Sequence, residues 1–380
     1  MKSQMRVGLI LWDGNVGGAE KLTAELAGGL RAVGVDARVP FVRDPGALAA
    51  DLDRLGVPYE SFGARRVEEV LWRPRRFARF AASLGADGSL LPTIGHLAPA
   101  MRLGGYAAPL VAVEHGFLLL MKDMGAQWRL ARHLERLLSA PFIDAEVAVS
   151  DFMRDEVMRV PHVRTVRVIR NGIDLGRFSS QPPATRPECV FGAASRMVQG
   201  KGLPELVTAF ARLCDSGFDV RLRLAGDGPE RARIVELIGD LGIQDRAELV
   251  GVVGDMAAYW RDVDVAVMPS TGEESFGMVA LEAMACGRPV VATANGGVDQ
   301  VVSDGANGLL VPRSDTDALA HAMQRYASDA GLRRDHGAAG RARAESEFTM
   351  QRCASEYADL LRELSRRAGA SSLLPGLRRA

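Results

Sequence analysis

Short apolar runs alternate with longer amphipathic stretches along most of the chain. Val7–Trp12 reads as a strand, and Ala19–Val33 as a helix with Leu22, Leu26, Leu30 and Val33 on one face of a 3.6-residue repeat. Val35–Phe41, Leu110–Val113, Ala145–Val149 and Val168–Ile169 are predicted as further strands of the first half. Ser179–Pro187 is proline-dense and aperiodic, which predicts a linker. The alternation then restarts. Strands are predicted at Val190–Ala194, Val220–Ala225, Ala247–Val250, Val265–Met268 and Val290–Ala292, with helices at Leu203–Cys214, Pro229–Leu241, Met256–Arg261 and Phe276–Cys286. Repeated strand–helix units require parallel sheets covered by helices on both faces. The predicted fold class is therefore α/β, with two doubly wound domains that open at the carboxyl ends of their strands and face a cleft. Their expected extents are 1–178, a linker at 179–187, and 188–351. The tail from Arg366 reads as frayed.

Length and composition agree with two soluble domains: 380 residues, 47% hydrophobic and 25% charged. Charge removes one class of function. With 47 basic and 47 acidic residues the net charge is zero, so nucleic acid is not an expected partner. One local exception is Arg65–Arg79, where Arg65, Arg66, Arg73, Arg75, Arg76 and Arg79 face only Glu68 and Glu69. Two readings stand for it: a solvated helix face, or a contact for an anionic acceptor or a peripheral membrane surface. Cys189, Cys214, Cys286 and Cys353 lie far apart, without metal or redox spacing. The apolar run at Met5–Trp12 is too short for a signal peptide, and no stretch approaches the ~20 apolar residues of a membrane span. A cytoplasmic location is the expectation.

The stretch with the most chemistry is Glu274-Ser275-Phe276-Gly277-Met278-Val279-Ala280-Leu281-Glu282, between the strands Val265–Met268 and Val290–Ala292. A strand–loop–helix unit of this kind sets the unpaired N–H groups of a helix start against a phosphate. One acid precedes the predicted helix and the other lies about two turns along it. Eight helical residues span about 12 Å. Paired glycosidase acids stand ~5 Å apart when retaining and within ~10 Å when inverting. Glu274 and Glu282 thus suit two ends of an elongated ligand better than two sides of one bond. Upstream, Arg196 and Lys201 lie in a glycine-bearing loop, Ser195–Gly202, that joins a strand to a helix. Both cations can reach one diphosphate and neutralise a nucleoside diphosphate leaving group without a metal; the plainer reading is surface charge on an ordinary loop. Gly17-Gly18 opens the first helix, as a tight turn or an anion cradle, and the spacing from Gly14 is not the dinucleotide fingerprint G-x-G-x-x-G. His115 follows the strand Leu110–Val113, where α/β proteins bind ligands, although a core histidine fits the same position. Asn171-Gly172 and Ala225–Glu230 read as turns.

Together these segments resemble the family-four glycosyltransferases of the GT-B fold, two Rossmann-like domains whose last helix, here about 352–380, crosses back to the first domain. The resemblance is carried, in family order, by Gly17-Gly18-Ala19-Glu20, Glu114-His115-Gly116, Val149-Ser150-Asp151, Asn171-Gly172-Ile173-Asp174, Arg196 with Lys201-Gly202, Ala225–Pro229, the Glu274–Glu282 stretch, Gly296-Gly297 and Asp304–Val311. It implies a UDP- or GDP-sugar donor held mainly by the C-terminal domain, with Arg196 and Lys201 on the diphosphate. It also implies backbone N–H groups from Ser275, Phe276, Gly277 and Met278, Glu282 on the ribose, and Glu274 on the donor sugar. Gly17 and Gly18 would approach the diphosphate from the other domain, and His115 the reacting carbon. The implied reaction retains anomeric configuration and needs no metal or other cofactor; the acceptor hydroxyl is not specified. After Gly296-Gly297 the family usually carries a proline and a glutamate, and here stand Asp299 and Gln300. The rivals are a nucleotide-sugar epimerase, which needs no acceptor, and a non-catalytic scaffold, which has no reason to keep Arg196, Lys201, His115 and Glu274 together.

Overall fold

The computed structural model describes residues 4–15, 17–92, 95–116, 119, 126–161, 163, 165–180 and 186–372, with side chains of the last helix to 368. Two compact units emerge: Met1–Gly172 with Met350–Ala380, and Ile173–Thr349. The changeover precedes the predicted linker, of which residues 181–185 lie outside the described residues. Its cause is packing. Ile173 bridges Thr349, and the buried Phe178 accepts a hydrogen bond at its carbonyl from Arg341 Nη1 at 2.6 Å.

The first unit is built on β1 (Arg6–Leu9), β2 (Asp36–Phe41), β3 (Tyr59–Ser61), β4 (Gly88–Leu91), β5 (Leu110–Glu114), β6 (Ala145–Ala148) and β7 (Val166–Val168). They form one parallel seven-stranded sheet in the order β3-β2-β1-β4-β5-β6-β7. The second unit has β8 (Cys189–Ala194), β9 (Val220–Ala225), β10 (Ala247–Gly251), β11 (Val265–Met268), β12 (Val290–Thr293) and β13 (Gly308–Val311), parallel in the order β10-β9-β8-β11-β12-β13. In both sheets the winding reverses beside the first strand, at β1/β4 and at β8/β11. Loops at the carboxyl ends there splay apart, which is where doubly wound folds bind ligands.

Strands β3 and β4 escape the hydrophobic pattern. β4 is Gly-Ser-Leu-Leu, buried at all four positions, so it has neither alternation nor a long apolar run. It begins on Gly88 because a Cβ there would stand 2.9 Å from Leu361 of the closing helix, Met350–Ser372. That helix buries Met350, Cys353, Ala354, Tyr357, Leu361 and Leu364, a spacing of threes and fours, and belongs to the first unit. A Cβ on Gly29 of the first helix would lie 2.7 Å from Met350 Cγ, so the two helices meet in close contact. The tail expected to fray from Arg366 is helical to Ser372; 373–380 lie outside the described residues.

The predicted helix Phe276–Cys286 is shorter, Met278–Ala285, since Gly277 takes a left-handed φ of 102° and cannot be its first turn. Likewise Pro229–Leu241 contracts to Arg231–Asp240. The second core packs Phe191, Leu206, Phe210, Val267 and Tyr326 without solvent access, each side chain contributing about 1.5–3 kcal/mol of burial.

Candidate functional site

In the second unit two loops leave the carboxyl ends of adjacent strands at the winding reversal: Ser195–Gly202 after β8 and Pro269–Gly277 after β11. They are locked together. Gly272 N–H donates to Gly200 O at 2.8 Å, and a Cβ on Gly202 would stand 1.8 Å from Pro269 O. Gly202 adopts φ 67° and precedes the helix Leu203–Asp215. Only glycine meets both demands there.

Lys201 Nζ lies 2.7 Å from Glu274 Oε1, which also accepts from Ser270 Oγ at 2.5 Å. The two residues assigned separately, to diphosphate and to sugar, are therefore neighbours that tie the loops. A lysine ammonium has three donors, so one bond to a carboxylate oxygen still permits contact with a second anion. Arg196 is exposed; its carbonyl accepts from Val198 N–H at 2.9 Å and, among the described residues, its side chain makes no hydrogen bond or ion pair. Its neighbours are fixed instead. Met197 is fully buried, its N–H donates to Asp227 O at 2.8 Å, and its carbonyl accepts from Glu230 N–H at 2.9 Å. The segment Ala225–Glu230, read as a turn, is the mould for the arginine loop: a Cβ on Gly226 would fall 1.9 Å from Ser195 O.

Glu274 is held through its backbone too. Gly297 N–H donates to Glu274 O at 2.8 Å, and a Cβ on Gly296 would come within 2.1 Å of that oxygen. Asn295 Nδ2 donates to Ser270 O at 3.2 Å and also to Gly272 O. Asp299, where the residue pattern departs from the usual one, is exposed in a short 3₁₀ turn, Val298–Gln300.

Beyond Ser275, Phe276 is buried edge-to-face on Phe348 at 5.8 Å, so its side chain anchors the loop and only its backbone can face a ligand. Gly277 then turns the chain into the helix Met278–Ala285, whose first N–H groups point along the axis without intrahelical partners. Glu282 is the fifth residue of this helix, one turn in rather than the two expected. Its Oε2 accepts from Trp260 Nε1 at 3.3 Å. The fully buried Arg288 donates from Nε to Trp260 O at 2.9 Å and holds that segment. Pattern reasoning missed Ser270, Asn295 and Trp260. Ser270, directly after the Pro269 that ends a buried strand, carried a positional signal; Trp260 carried none.

In the first unit Gly17 caps the helix Gly18–Ala32, and a Cβ there would meet Glu20 Oε2 at 2.5 Å. Nothing lies within 4 Å of a Cβ on Gly18. His115 follows β5 directly, and burial pushes its imidazole down to about 4, so the ring is neutral at ordinary pH. It lines a small cavity with Thr23, Leu26, Asn171, Cys353 and Tyr357. Asn171, read as a turn residue, is buried and shares that cavity. On the other side of β5, Arg136 Nη2 pairs with the buried Glu146 at 2.6 Å and Nη1 lies 3.6 Å from the buried Glu114. These charges line a cavity of about 150 Å³ with His96, Glu135 and Ile143. Among the described residues no group of three or more His, Cys, Asp or Glu is placed to hold a metal ion.

Residues 188–329 match the family described as glycosyl transferases group 1, and residues 16–177 match glycosyltransferase family 4. An alpha-maltose-1-phosphate synthase of Mycobacterium tuberculosis (strain ATCC 25618 / H37Rv) is 31% identical, with 92% of this chain and 96% of that protein aligned. An exopolysaccharide phosphotransferase of Streptomyces coelicolor is 34% identical over 53% of this chain, and the match spans only 21% of that longer protein. Among solved structures, Anabaena Alr3699/HepE in complex with UDP and glucose has the same fold, with a TM-score of 0.81 at 23% identity over 95% of this chain and 100% of that one.

Proposed function

The chain belongs to the group 1, family-four glycosyltransferases of GT-B type, and from that premise we propose that it moves a hexose or N-acetylhexosamine from a UDP- or GDP-sugar to an acceptor hydroxyl with retention of configuration. The observation that carries this reading is the Lys201–Glu274 pair, with Arg196 exposed on the same loop, at the winding reversal of the second sheet. A guanidinium and an ammonium there suit a diphosphate that gains charge as its bond to the sugar breaks. The ammonium joins the phosphate side of the site to the carboxylate that takes the sugar hydroxyls. The helix start at Met278 adds N–H donors to the diphosphate, and Glu282 accepts from the ribose hydroxyls.

On this reading the anomeric carbon–phosphate oxygen bond breaks while the acceptor oxygen bonds to the same face. The acceptor's proton passes to the leaving phosphate oxygen. Gly17, Gly18 and the neutral His115 serve the sugar and diphosphate from the first unit. The protein positions groups and stabilises charge, with no metal or other cofactor. We place the reaction in the cytoplasm, with a small polyol or natural product as the first reading of the acceptor. The arginine-rich segment at 65–79 favours a second reading, a lipid-linked or surface-polysaccharide acceptor.

A thermal-shift panel of UDP- and GDP-sugars tests the donor, because a bound ligand raises the melting temperature in proportion to ln(1 + [L]/Kd). One nucleotide sugar is expected to stand out, and R196A is expected to abolish its shift. Proton NMR of the product made from that donor is expected to show the donor's anomeric configuration. An epimerised donor formed without acceptor, or an inverted product, would overturn the proposal.

A further inference from the structure

Arginines in this chain usually carry a carboxylate. Arg6, Arg31 and Arg38 converge on Asp36, Arg223 lies on Glu248 and Asp262, and Arg341 and Arg352 take acids one turn on. Arg65, Arg66, Arg73, Arg75, Arg76 and Arg79 do not. All six are exposed, and among the described residues none forms an ion pair. Arg76 lies over the Phe62 ring at 5.4 Å, which keeps its charge.

The same place exposes hydrocarbon. Arg73 separates two short helices, Val67–Trp72 and Pro74–Leu84. The first ends on Leu71 and Trp72, 50% and 81% exposed. The second buries Phe77, Ala78, Ala81 and Leu84 and leaves Arg75, Arg76 and Arg79 in solvent. A Cβ on Gly104 would stand 2.1 Å from Pro74 O, so the helix Ala98–Leu103 ends hard against this junction and sets Leu103, 73% exposed, beside it.

We propose that this face docks the first unit on an anionic phospholipid surface, with the arginines among the headgroups and Trp72, Leu71 and Leu103 at the headgroup–acyl boundary. Charge complementarity selects an anionic partner, and the exposed tryptophan and leucines select one with hydrocarbon beneath the charge. A soluble polyanion would use the arginines and leave the apolar side chains in water. Attachment is peripheral: no described helix is long and apolar enough to cross a membrane. The proposal is independent of the donor assignment.

The test is co-sedimentation of the full chain with large vesicles of phosphatidylcholine alone or mixed with phosphatidylglycerol. Binding is expected only to the mixed vesicles and is expected to weaken with salt. Each arginine near such a surface strengthens binding roughly fivefold, so R73E/R75E/R76E is expected to lose at least two orders of magnitude. W72A is expected to weaken vesicle binding about tenfold with an unchanged salt slope and unchanged affinity for heparin. Melting temperatures and turnover on a water-soluble acceptor report folding of both variants and are expected to stay at wild-type values. Equal binding to neutral vesicles, no binding to either, or undiminished binding of the triple variant would overturn the proposal. So would heparin affinity that falls in parallel with W72A, or a self-association that W72A abolishes.

Discussion

The loops at the carboxyl ends of the strands differ between the two units, at several positions, in how tightly their own backbones confine them. In the second unit, a side chain at Gly202, Gly226 or Gly296 would strike a carbonyl oxygen, and an ion pair and three side-chain hydrogen bonds finish the lock around Glu274 and Ser270. In the first unit Gly14 is confined in the same way, a Cβ there falling 1.7 Å from Pro45 O, but Gly18 faces open space, the carboxyl end of β5 borders two cavities, and the charges there are buried among themselves. Rigid loops suit a ligand of constant shape, which a nucleoside diphosphate is. Looser walls suit an acceptor that differs from one member of a family to the next. On the proposed function, the contrast assigns donor chemistry to backbone geometry and acceptor choice to side chains with few local rules.

Substitutions can break or sharpen this contrast. The largest effect is expected at the two cations: K201A or R196A should lower turnover by about two to three decades, as for loss of one preorganised electrostatic stabiliser, read by steady-state kinetics. Wild-type rates in either variant would remove the phosphate assignment. Next is Gly202→Ala, which combines a left-handed φ with a Cβ 1.8 Å from Pro269 O. It should destabilise the second unit by about 3 kcal/mol or more in urea unfolding, whereas Gly18→Ala, at an open helical position, should stabilise by about 0.5–1 kcal/mol. Equal behaviour of the two variants would erase the difference between the units.

A third test uses protons. His115 titrates near 4 in the folded chain and near 6.5 when unfolded, because burial disfavours the imidazolium. The unfolded state therefore binds more protons across that window, so stability is full above about 6.5 and falls as pH drops toward 4. Burial lowers His96 and His336 in the same sense. H115Q should flatten the acid limb of unfolding free energy against pH by about 1–2 kcal/mol and leave the region above pH 7 unchanged; an unaltered acid limb would show that His115 is solvated. The smallest effect is expected at Trp260. W260F should weaken donor binding roughly threefold to tenfold by removing one donor from Glu282, and calorimetry with a 2′-deoxy nucleotide sugar should show little further loss. Equal losses with both donors would mean that Trp260 acts on the fold alone.

Most of the fold was readable because a buried parallel sheet imposes long apolar runs and amphipathic partners that need no knowledge of the rest of the chain. The exceptions share a cause. β3 and β4 are short, and β4 exists as a strand because neighbours on both sides pair with it and the helix Met350–Ser372 covers its first residue. The helix at Met278 starts two residues late because φ at Gly277 is not a property of residue type alone. At the site, Arg196, Lys201, Glu274 and Glu282 stood out through charge and spacing within a recurring strand–loop–helix unit. Their partners did not. Ser270, Asn295 and Trp260 act through contacts made after the chain has closed, and neither period nor motif encodes such contacts.

Local chemistry along the chain was enough to specify two wound sheets and the identity of cations and carboxylates in their loops. It was enough because apolar runs, helical periodicity and glycine's freedom are properties of a few consecutive residues. Folding alone joined Lys201 to Glu274 across 73 residues, left six arginines without an ion pair among the described residues near an exposed tryptophan, and lowered the pKa of the His115 imidazole by burial. Those outcomes follow from distances between remote segments, and a linear order of residues does not contain distances.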